Sequence, residues 1–320
     1  MSINRRDFLK LTAASGLLLA SDVKPGQAAT GKELPPQAVG FLYDATLCIG
    51  CKSCMFNCKK YNTMPGGALY TEEGRNMFEW NGPERIWDAP RDLSGKTLNI
   101  IKAYGGADGE PSFVKRHCMH CVDPGCVSAC PVSAMEKDGQ TGVVTYDAEK
   151  CIGCRYCQIA CPFNVPKFEW EETFPQIRKC QMCDHRQKEG GIPACCEFCP
   201  TGASLFGPVT ELRAEAEKRL RARPGSEYDY PLGQIGSGAS MTKEVPRYNG
   251  GTYGMEEVGG TQYLMLADVA YDKLGMPKLP KKSYASTSSG IQHTLYNKMI
   301  APIVVFGVLA GAAFRSTKSE

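Results

Sequence analysis

The sequence has little net charge. Its 320 residues carry 37 Lys and Arg against 34 Asp and Glu, a formal net charge of +3. That balance is too small to point to nucleic acid or any other polyanionic partner, and no nucleic-acid-binding motif is present. There is no glycine-rich phosphate loop, no Ser–His–Asp set and no evident general acid–base pair, so nothing marks a catalytic site. Cysteine, at 17 residues, is well below the density of a disulfide scaffold. A long apolar run is also missing. The C-terminal stretch Met299–Phe314 has 16 residues without a charge, where a membrane-spanning helix wants about 20. Hydrophobic content of 42% and charged content of 22% are ordinary for a globular chain. The length leaves room for about two domains.

What is present is a pattern of cysteines. Sixteen of the 17 fall into four groups of four. The groups are Cys48, Cys51, Cys54 and Cys58; Cys118, Cys121, Cys126 and Cys130; Cys151, Cys154, Cys157 and Cys161; and Cys180, Cys183, Cys195 and Cys199. The third reads C-x2-C-x2-C-x3-C-P, the spacing of bacterial ferredoxins. The reason is geometric. A 4Fe–4S cubane presents four iron corners, and three thiolates on one tight loop reach three of them. The fourth cysteine has turned away on a new helix and serves the other cluster of a pair. Pro131 and Pro162 follow such cysteines, fixing φ and removing a donor. Zinc asks for four thiolates around one ion, usually as two separated C-x2-C knuckles. Disulfides ask for an oxidising compartment. Three thiolates at two-residue gaps fit a cluster loop better than either. A zinc-stapled, non-redox interaction module is the alternative from another class, and visible absorption separates the two.

The groups alternate in type. The string Y-D-A-x-x-C-I-G-C occurs at Tyr43–Cys51 and again at Tyr146–Cys154, 103 residues later. Such a repeat reports a duplicated unit, here a short strand running into a cluster loop. The second and fourth groups form another repeat, ending in Cys126-x3-Cys130-Pro131 and Cys195-x3-Cys199-Pro200, with an insertion from His185 to Ala194 in the last. A two-cluster unit needs one group of each type. The second and third are joined through a turn at Lys137–Gly142 that reads as a hairpin, which leaves the first and fourth for a second, nested unit. A tandem pairing, first with second and third with fourth, is also allowed by the spacing.

Around these groups the chain divides as follows. Residues 1–28 read as an export signal. Asn4–Lys10 resembles the twin-arginine motif, Leu11–Ala20 is weakly apolar, and Gly26-Gln27-Ala28 suits a signal peptidase. Residues 40–208 form the cluster-bearing domain. It is interrupted by a Gly- and Pro-containing insertion, 61–114, read as a loop region that covers a cluster or faces a partner. A strand is expected at Ala203–Phe206 and a charged helix from Thr210 to about Ala222, carrying a Glu217–Arg221 pair. Residues 209–294 read as a segment wrapping the body, with one further strand at Gln262–Leu266. Residues 295–316 read as a transmembrane anchor, with Lys298 snorkelling and Tyr296 at the interface. Arg315 and Lys318 then put the tail in the cytoplasm and the body on the periplasmic side of the bacterial inner membrane.

Several other residues tempt a functional reading. Cys196 adjoins Cys195, and only Cys195 has the three-residue gap to Cys199, so Cys196 reads as a small buried apolar residue. No group lacks a cysteine, so His117, His120 and His185 read as supporting donors or surface residues. Arg116, Arg178 and Lys179 could raise cluster potentials by charge, but a solvated face is the plainer reading.

Four complete, alternating groups resemble the four-cluster ferredoxin-like subunits of respiratory oxidoreductases, a family that includes the beta subunits of formate dehydrogenase, dimethyl-sulfoxide reductase and polysulfide reductase. Further strings make the chain most similar to the ferredoxin-like subunits of membrane-bound nickel–iron hydrogenases of the hydrogenase-2 type. They are Cys118–Pro124, Cys154–Lys167, Arg223–Tyr228, Gly259–Gln262 and Ile291–Tyr296. The resemblance implies an α+β fold of two nested bacterial-ferredoxin-like two-cluster units with insertions, plus a C-terminal transmembrane helix. It implies four 4Fe–4S clusters. Cys48, Cys51 and Cys54 would share one with Cys199, and Cys180, Cys183 and Cys195 one with Cys58. Cys118, Cys121 and Cys126 would share one with Cys161, and Cys151, Cys154 and Cys157 one with Cys130. The implied role is an electron relay with no catalysis of its own. Its partners would be the small and large hydrogenase subunits and a quinone-reactive integral membrane subunit. The same relay serving a molybdopterin oxidoreductase or a nitrite reductase is the nearest alternative.

Overall fold

The computed structural model describes residues 33–69, 92–105, 109–288 and 300–317. The export signal and residues 70–91 of the insertion lie outside the described residues. Two units are separable, one of residues 32–283 and one of 1–31 with 284–320.

The first unit is built around β1 (Val39–Asp44), buried along nearly its whole length. Its run V-G-F-L-Y-D is apolar on both faces because both are covered. After the first cysteine loop comes α1 (Ser53–Asn62). The insertion then supplies an antiparallel hairpin, β2 (Ile100–Gly105) and β3 (Pro111–Arg116), in the register Ile100↔Arg116. The part of the insertion described is therefore not loop alone, and β3 leads directly into the second cysteine group. Next come α2 (Gly125–Ser128), β4 (Met135–Lys137), β5 (Val144–Tyr146) and α3 (Tyr156–Ile159), with β4 and β5 closing the expected hairpin. A short ladder of β6 (Lys167–Phe168) and β7 (Ile177–Arg178) precedes α4 (Asp184–Lys188) and α5 (Ala194–Glu197). The chain continues through β8 (Ser204–Pro208), α6 (Val209–Arg221), the hairpin β9 (Glu227–Pro231) and β10 (Ser240–Glu244), and β11 (Tyr263–Leu266). The two strands and the helix expected after the fourth group lie within a residue or two of these bounds.

The main sheet has the order β11-β1-β8, parallel on one side and antiparallel on the other. Side chains alternate across it. Phe41, Tyr43, Phe206, Tyr263 and Met265 join the large core that also contains cysteines of the first, second and fourth groups. Leu42, Leu205, Leu264 and Leu266 point the other way, onto Leu212 and Ala216 of α6. Those two sit one helical turn apart, the spacing that puts apolar residues on one face. A smaller core of Cys126, Met135, Val144, Cys157 and Ile177 holds the β4–β5 hairpin against the second and third groups.

The pairing of elements follows the nested order. β1 precedes the first group and β8 follows the fourth, and these two strands pair. β4 follows the second group and β5 precedes the third, and these pair. The helices agree: α1 packs on α5, and α2 on α3.

The expected transmembrane anchor is not found. The second unit contains α7 (Ile300–Thr317). Among the described residues, no helix is long and apolar enough to cross a membrane. An 18-residue helix rises about 27 Å, against a hydrocarbon core of about 30 Å. Arg315 closes the apolar stretch before its end, and Pro302, Gly307 and Gly311 dilute it. Residues 295–299 of the expected anchor lie outside the described residues. Among the described residues the fold is therefore α+β with no membrane-spanning helix, and the anchored placement with a cytoplasmic tail is not supported.

Candidate metal centres

The cysteine loops share an unusual backbone. In the first group Gly50 and Lys52 have φ of 68° and 59°, and in the third Gly153 and Arg155 have 70° and 63°. His120, Met182 and Cys183 are left-handed in the other two groups, at 44°, 57° and 50°. Alternation into the left-handed region turns successive amides to one side and makes an anion-binding nest. The amides meet sulfur. Gly153 N donates to Cys151 Sγ at 3.4 Å, Met182 N to Cys180 Sγ at 3.3 Å, and Ala134 N to Cys130 Sγ at 3.2 Å. The Asn62 side chain donates to Cys58 Sγ at 3.6 Å and Cys183 Sγ at 3.5 Å. In each group the third cysteine lies in a helix, α1, α2, α3 or α5. The fourth follows one turn later.

Distant cysteines meet as a result. Cys199 lines one small, largely apolar cavity with Cys48, Cys51 and Cys54, roofed by Ile101 of β2. Cys130 lines another with Cys151, Cys154 and Cys157. Cys58 feels the charge of Cys183, Cys180 and Cys195. Cys161 and Cys118 act on each other and on Cys121 and Cys126. Among the described residues, no three Cys, His, Asp or Glu side chains converge where a single ion could sit. A cubane does not require that, because four cysteines hold a whole cluster of four irons.

The donor set suits such a group. Burial pushes the thiols of Cys54 and Cys126 up to about 12 and those of Cys157 and Cys183 to about 11. Burial raises Cys58, Cys121 and Cys180 as well. Left bare, these sulfurs stay protonated at neutral pH. A cationic partner such as iron, together with inward amides, makes thiolate their stable form. Cys195 moves the other way, lowered by a hydrogen bond from Cys196 and by the nearby Lys115.

The supporting residues differ in part from the sequence reading. Cys196 is fully buried in the main core, and it also hydrogen-bonds to Cys195. His117 and His120 are buried, with no solvated side. His120 Nδ1 accepts from Val144 N at 3.0 Å, and His117 Nδ1 lies 2.7 Å from the carbonyl oxygen of Cys118. Burial holds both imidazoles well below the ordinary histidine value, hence neutral. His185 is half-buried. Arg178 and Lys179 are buried too, and the reading of a solvated face fails for them. Arg178 pairs with Glu169 at 2.7 Å and donates to the Ala68 carbonyl, and Lys179 donates to the Val144 and Cys180 carbonyls. Arg116 is half-buried and donates to the carbonyls of Gly275 and Phe163.

One residue escaped the sequence reading. Lys115, on β3, is 1% exposed. Its Nζ lies 3.0 Å from Ser204 Oγ and 5.3 Å from the centre of the Phe41 ring. Burial by itself would push this ammonium down. The surrounding sulfurs of Cys195, Cys196 and Cys54 more than reverse that and hold it well above the ordinary lysine value. A lone lysine just past the insertion leaves no sequence signal, and only the fold of the hairpin brings it inward.

Comparison with known proteins agrees with this chemistry. The 4Fe-4S dicluster domain family matches residues 110–209. The hydrogenase-2 operon protein HybA of Escherichia coli O157:H7 is 41% identical, over 99% of this chain and 97% of its own length. The chain belongs to the HybA family of iron–sulfur proteins. More distant relatives include the nitrate-inducible formate dehydrogenase iron-sulfur subunit of Escherichia coli K12. It is 31% identical over 88% of this chain and 83% of its own length. The formate dehydrogenase iron-sulfur subunit of Haemophilus influenzae is 29% identical over 96% of this chain and 86% of its own. In this chain the dicluster match spans the second, third and fourth cysteine groups but not the first. The first group enters the site through β1 and α1, by the pairing described above.

Proposed function

We propose that this chain relays electrons through four 4Fe–4S clusters between a nickel–iron hydrogenase and a quinone-reactive subunit. It is an iron–sulfur electron-transfer subunit of a respiratory oxidoreductase complex and performs no catalysis itself. The near full-length likeness to HybA carries this reading. Each cluster, when bound, takes up and releases one electron. The protein's part is to hold the sulfurs, exclude water and set the spacing. The ligand sets would be Cys48, Cys51, Cys54 and Cys199; Cys180, Cys183, Cys195 and Cys58; Cys118, Cys121, Cys126 and Cys161; and Cys151, Cys154, Cys157 and Cys130.

Neighbour relations support a single file of sites. Cys157 lies near Cys126, Cys118 near Cys180, and Cys195 near Cys54. The order is then the third group's site, the second's, the fourth's and the first's. Both ends reach the surface, through Ile152, 66% exposed, at one and Ile49, 60% exposed, at the other.

Paired substitutions test the crossed ligands. Cys48→Ser with Cys199→Ser should lose no more iron than either change alone, because both strike one cluster. Cys180→Ser with Cys199→Ser should lose two clusters' worth. The reverse result would return each fourth cysteine to its own loop. Reduction of the clusters by hydrogen in the presence of a purified nickel–iron hydrogenase, but not by formate with a formate dehydrogenase, tests the choice of partner.

A further inference from the structure

Lysines packed near the cysteine groups differ in what they meet. Lys179 and Lys137 donate to backbone carbonyls, those of Val144 and Cys180 for the first and of Cys121 and Gly142 for the second. They tie loops together, and carbonyl dipoles meet their charge. Lys115 has no such carbonyl. Its Nζ meets the Ser204 hydroxyl and the face of the Phe41 ring. Among the described residues, no carboxylate stands within ion-pair distance of it. A buried ammonium without a counter-charge is costly. Ser204, its hydrogen-bond partner, lines the cavity of Cys48, Cys51, Cys54 and Cys199, and Phe41 beneath it shares one core with Cys54, Cys58, Cys180 and Cys195, so the groups left to balance it are sulfurs. Cys54 belongs with the first group's site and Cys58 and Cys195 with the fourth's. The lysine therefore sits between Phe41 of β1 and Ser204 of β8, in the core that both sites of one pair share.

We propose that Lys115 is the buried counter-cation of the first and fourth cysteine groups and raises the reduction potentials of the two clusters they hold. The proposal rests on the relay reading above. Reduction brings one electron from a neighbouring centre and adds one negative charge to an already anionic cluster. A fixed cation in a low-dielectric interior favours the more negative state. Among the described residues, Lys179 and Lys137 at the second and third groups both have carbonyl partners. The charge therefore separates the two halves of the relay in potential, making the half nearer the first group the easier to reduce. Ser204, on β8, holds the ammonium in place. Gln or Met at position 115 would keep most of the volume and remove the charge.

The test is a redox titration of the purified, cluster-loaded full chain, followed by electron paramagnetic resonance, with iron content measured in parallel. Lys115→Met should keep its iron. It should shift two centres to lower potential by about tenfold in the one-electron equilibrium, about 59 mV, and leave the other two unmoved. Lys115→Arg should stay near the wild-type values. Unmoved midpoints in a fully loaded Lys115→Met protein would overturn the inference and leave the relay intact, as would an equal shift of all four centres. If Lys115→Met loses iron, Lys115→Gln, which can still hydrogen-bond to Ser204, is titrated in its place. Loss of iron in both neutral variants would make Lys115 an assembly element and overturn the tuning. Absence of any iron–sulfur signal in the wild type would instead sink the relay reading itself.

Discussion

At the scale of single residues, chemically identical positions carry different loads. Gly50 and Gly153 occupy the same place in the repeated C-I-G-C loop, with φ of +68° and +70°. A side chain at either pays for the left-handed backbone, about 1 kcal/mol. A Cβ on Gly50 would also stand 2.4 Å from the Phe113 ring, whereas one on Gly153 would find Phe168 at 3.9 Å. Gly50→Ala should therefore cost about 1–3 kcal/mol more than Gly153→Ala, by the usual penalty for overpacking. Urea midpoints with iron content check the difference. Arg219 is a second case. It is fully buried and holds Asp44 at 3.1 Å and Glu215 at 2.8 Å, while Tyr248 and Tyr228 donate to those same carboxylates. Removing it strands two buried carboxylates, so Arg219→Ala should destabilise by about 3–5 kcal/mol. The pair legible in the sequence, Glu217 with Arg221, is exposed, and Arg221→Ala should cost less than about 0.5 kcal/mol. Equal losses in the two variants would refute this reading.

At the scale of elements, the β4–β5 hairpin shows how a turn is fixed by one carboxylate. Asp138 Oδ1 accepts from Gln140 N at 3.0 Å, Thr141 N at 2.6 Å and Thr141 Oγ1 at 2.7 Å. These bonds hold its carboxyl below the ordinary aspartate value. A depressed carboxylate stabilises the fold above its unfolded pKa, about 3.9, and loses that contribution as pH falls through the folded value. The site is exposed, so solvent screening keeps the effect below about 1 kcal/mol. Wild type and Asp138→Ala should differ by a constant amount from pH 7 down to about 5 and converge below about 4. A difference that persists into acid would mean that the charge has no part in the turn.

At the scale of the molecule, the segment after the fourth group joins the two halves. β11 adds to the sheet beside β1, and Thr261 bridges to Cys121 in the second group. The fully buried Gln262 makes the join. Its side chain donates to the Val39 carbonyl at 2.5 Å and the Thr141 carbonyl at 2.8 Å, and accepts from Lys137 Nζ at 2.7 Å. Those partners lie on β1, on the hairpin turn and on β4. Gln262→Leu takes the side-chain donor from the Val39 carbonyl and one bond each from the Thr141 carbonyl and Lys137, which keep others, and should cost about 1–3 kcal/mol. It should also loosen the hairpin and the strand together, read as hydrogen exchange rising at both. Exchange rising at only one would show that the two halves are held independently.

The sequence by itself pointed to the iron–sulfur chemistry and to the repeated cysteine groups. Spacing within each group, the repeated Y-D-A-x-x-C-I-G-C string and the turn at Lys137–Gly142 depend only on residues near one another in the chain. Local geometry is all that is needed to read them. The likeness to hydrogenase-associated iron–sulfur subunits was legible for the same reason, from short strings. What lay beyond the sequence depends on contacts between distant residues. Spacing allowed nested and tandem pairings alike. The packing of α1 on α5 and of β1 on β8 decided which cysteines become neighbours. The apolar C-terminal run suggested a membrane span, but the length of the helix that forms and the charge at its end do not provide one. Lys115, Arg219 and Gln262 are polar residues in a sequence with no periodicity to mark them. Burial turned them into the charges and hydrogen bonds on which the interior depends, and burial is a property of the whole fold.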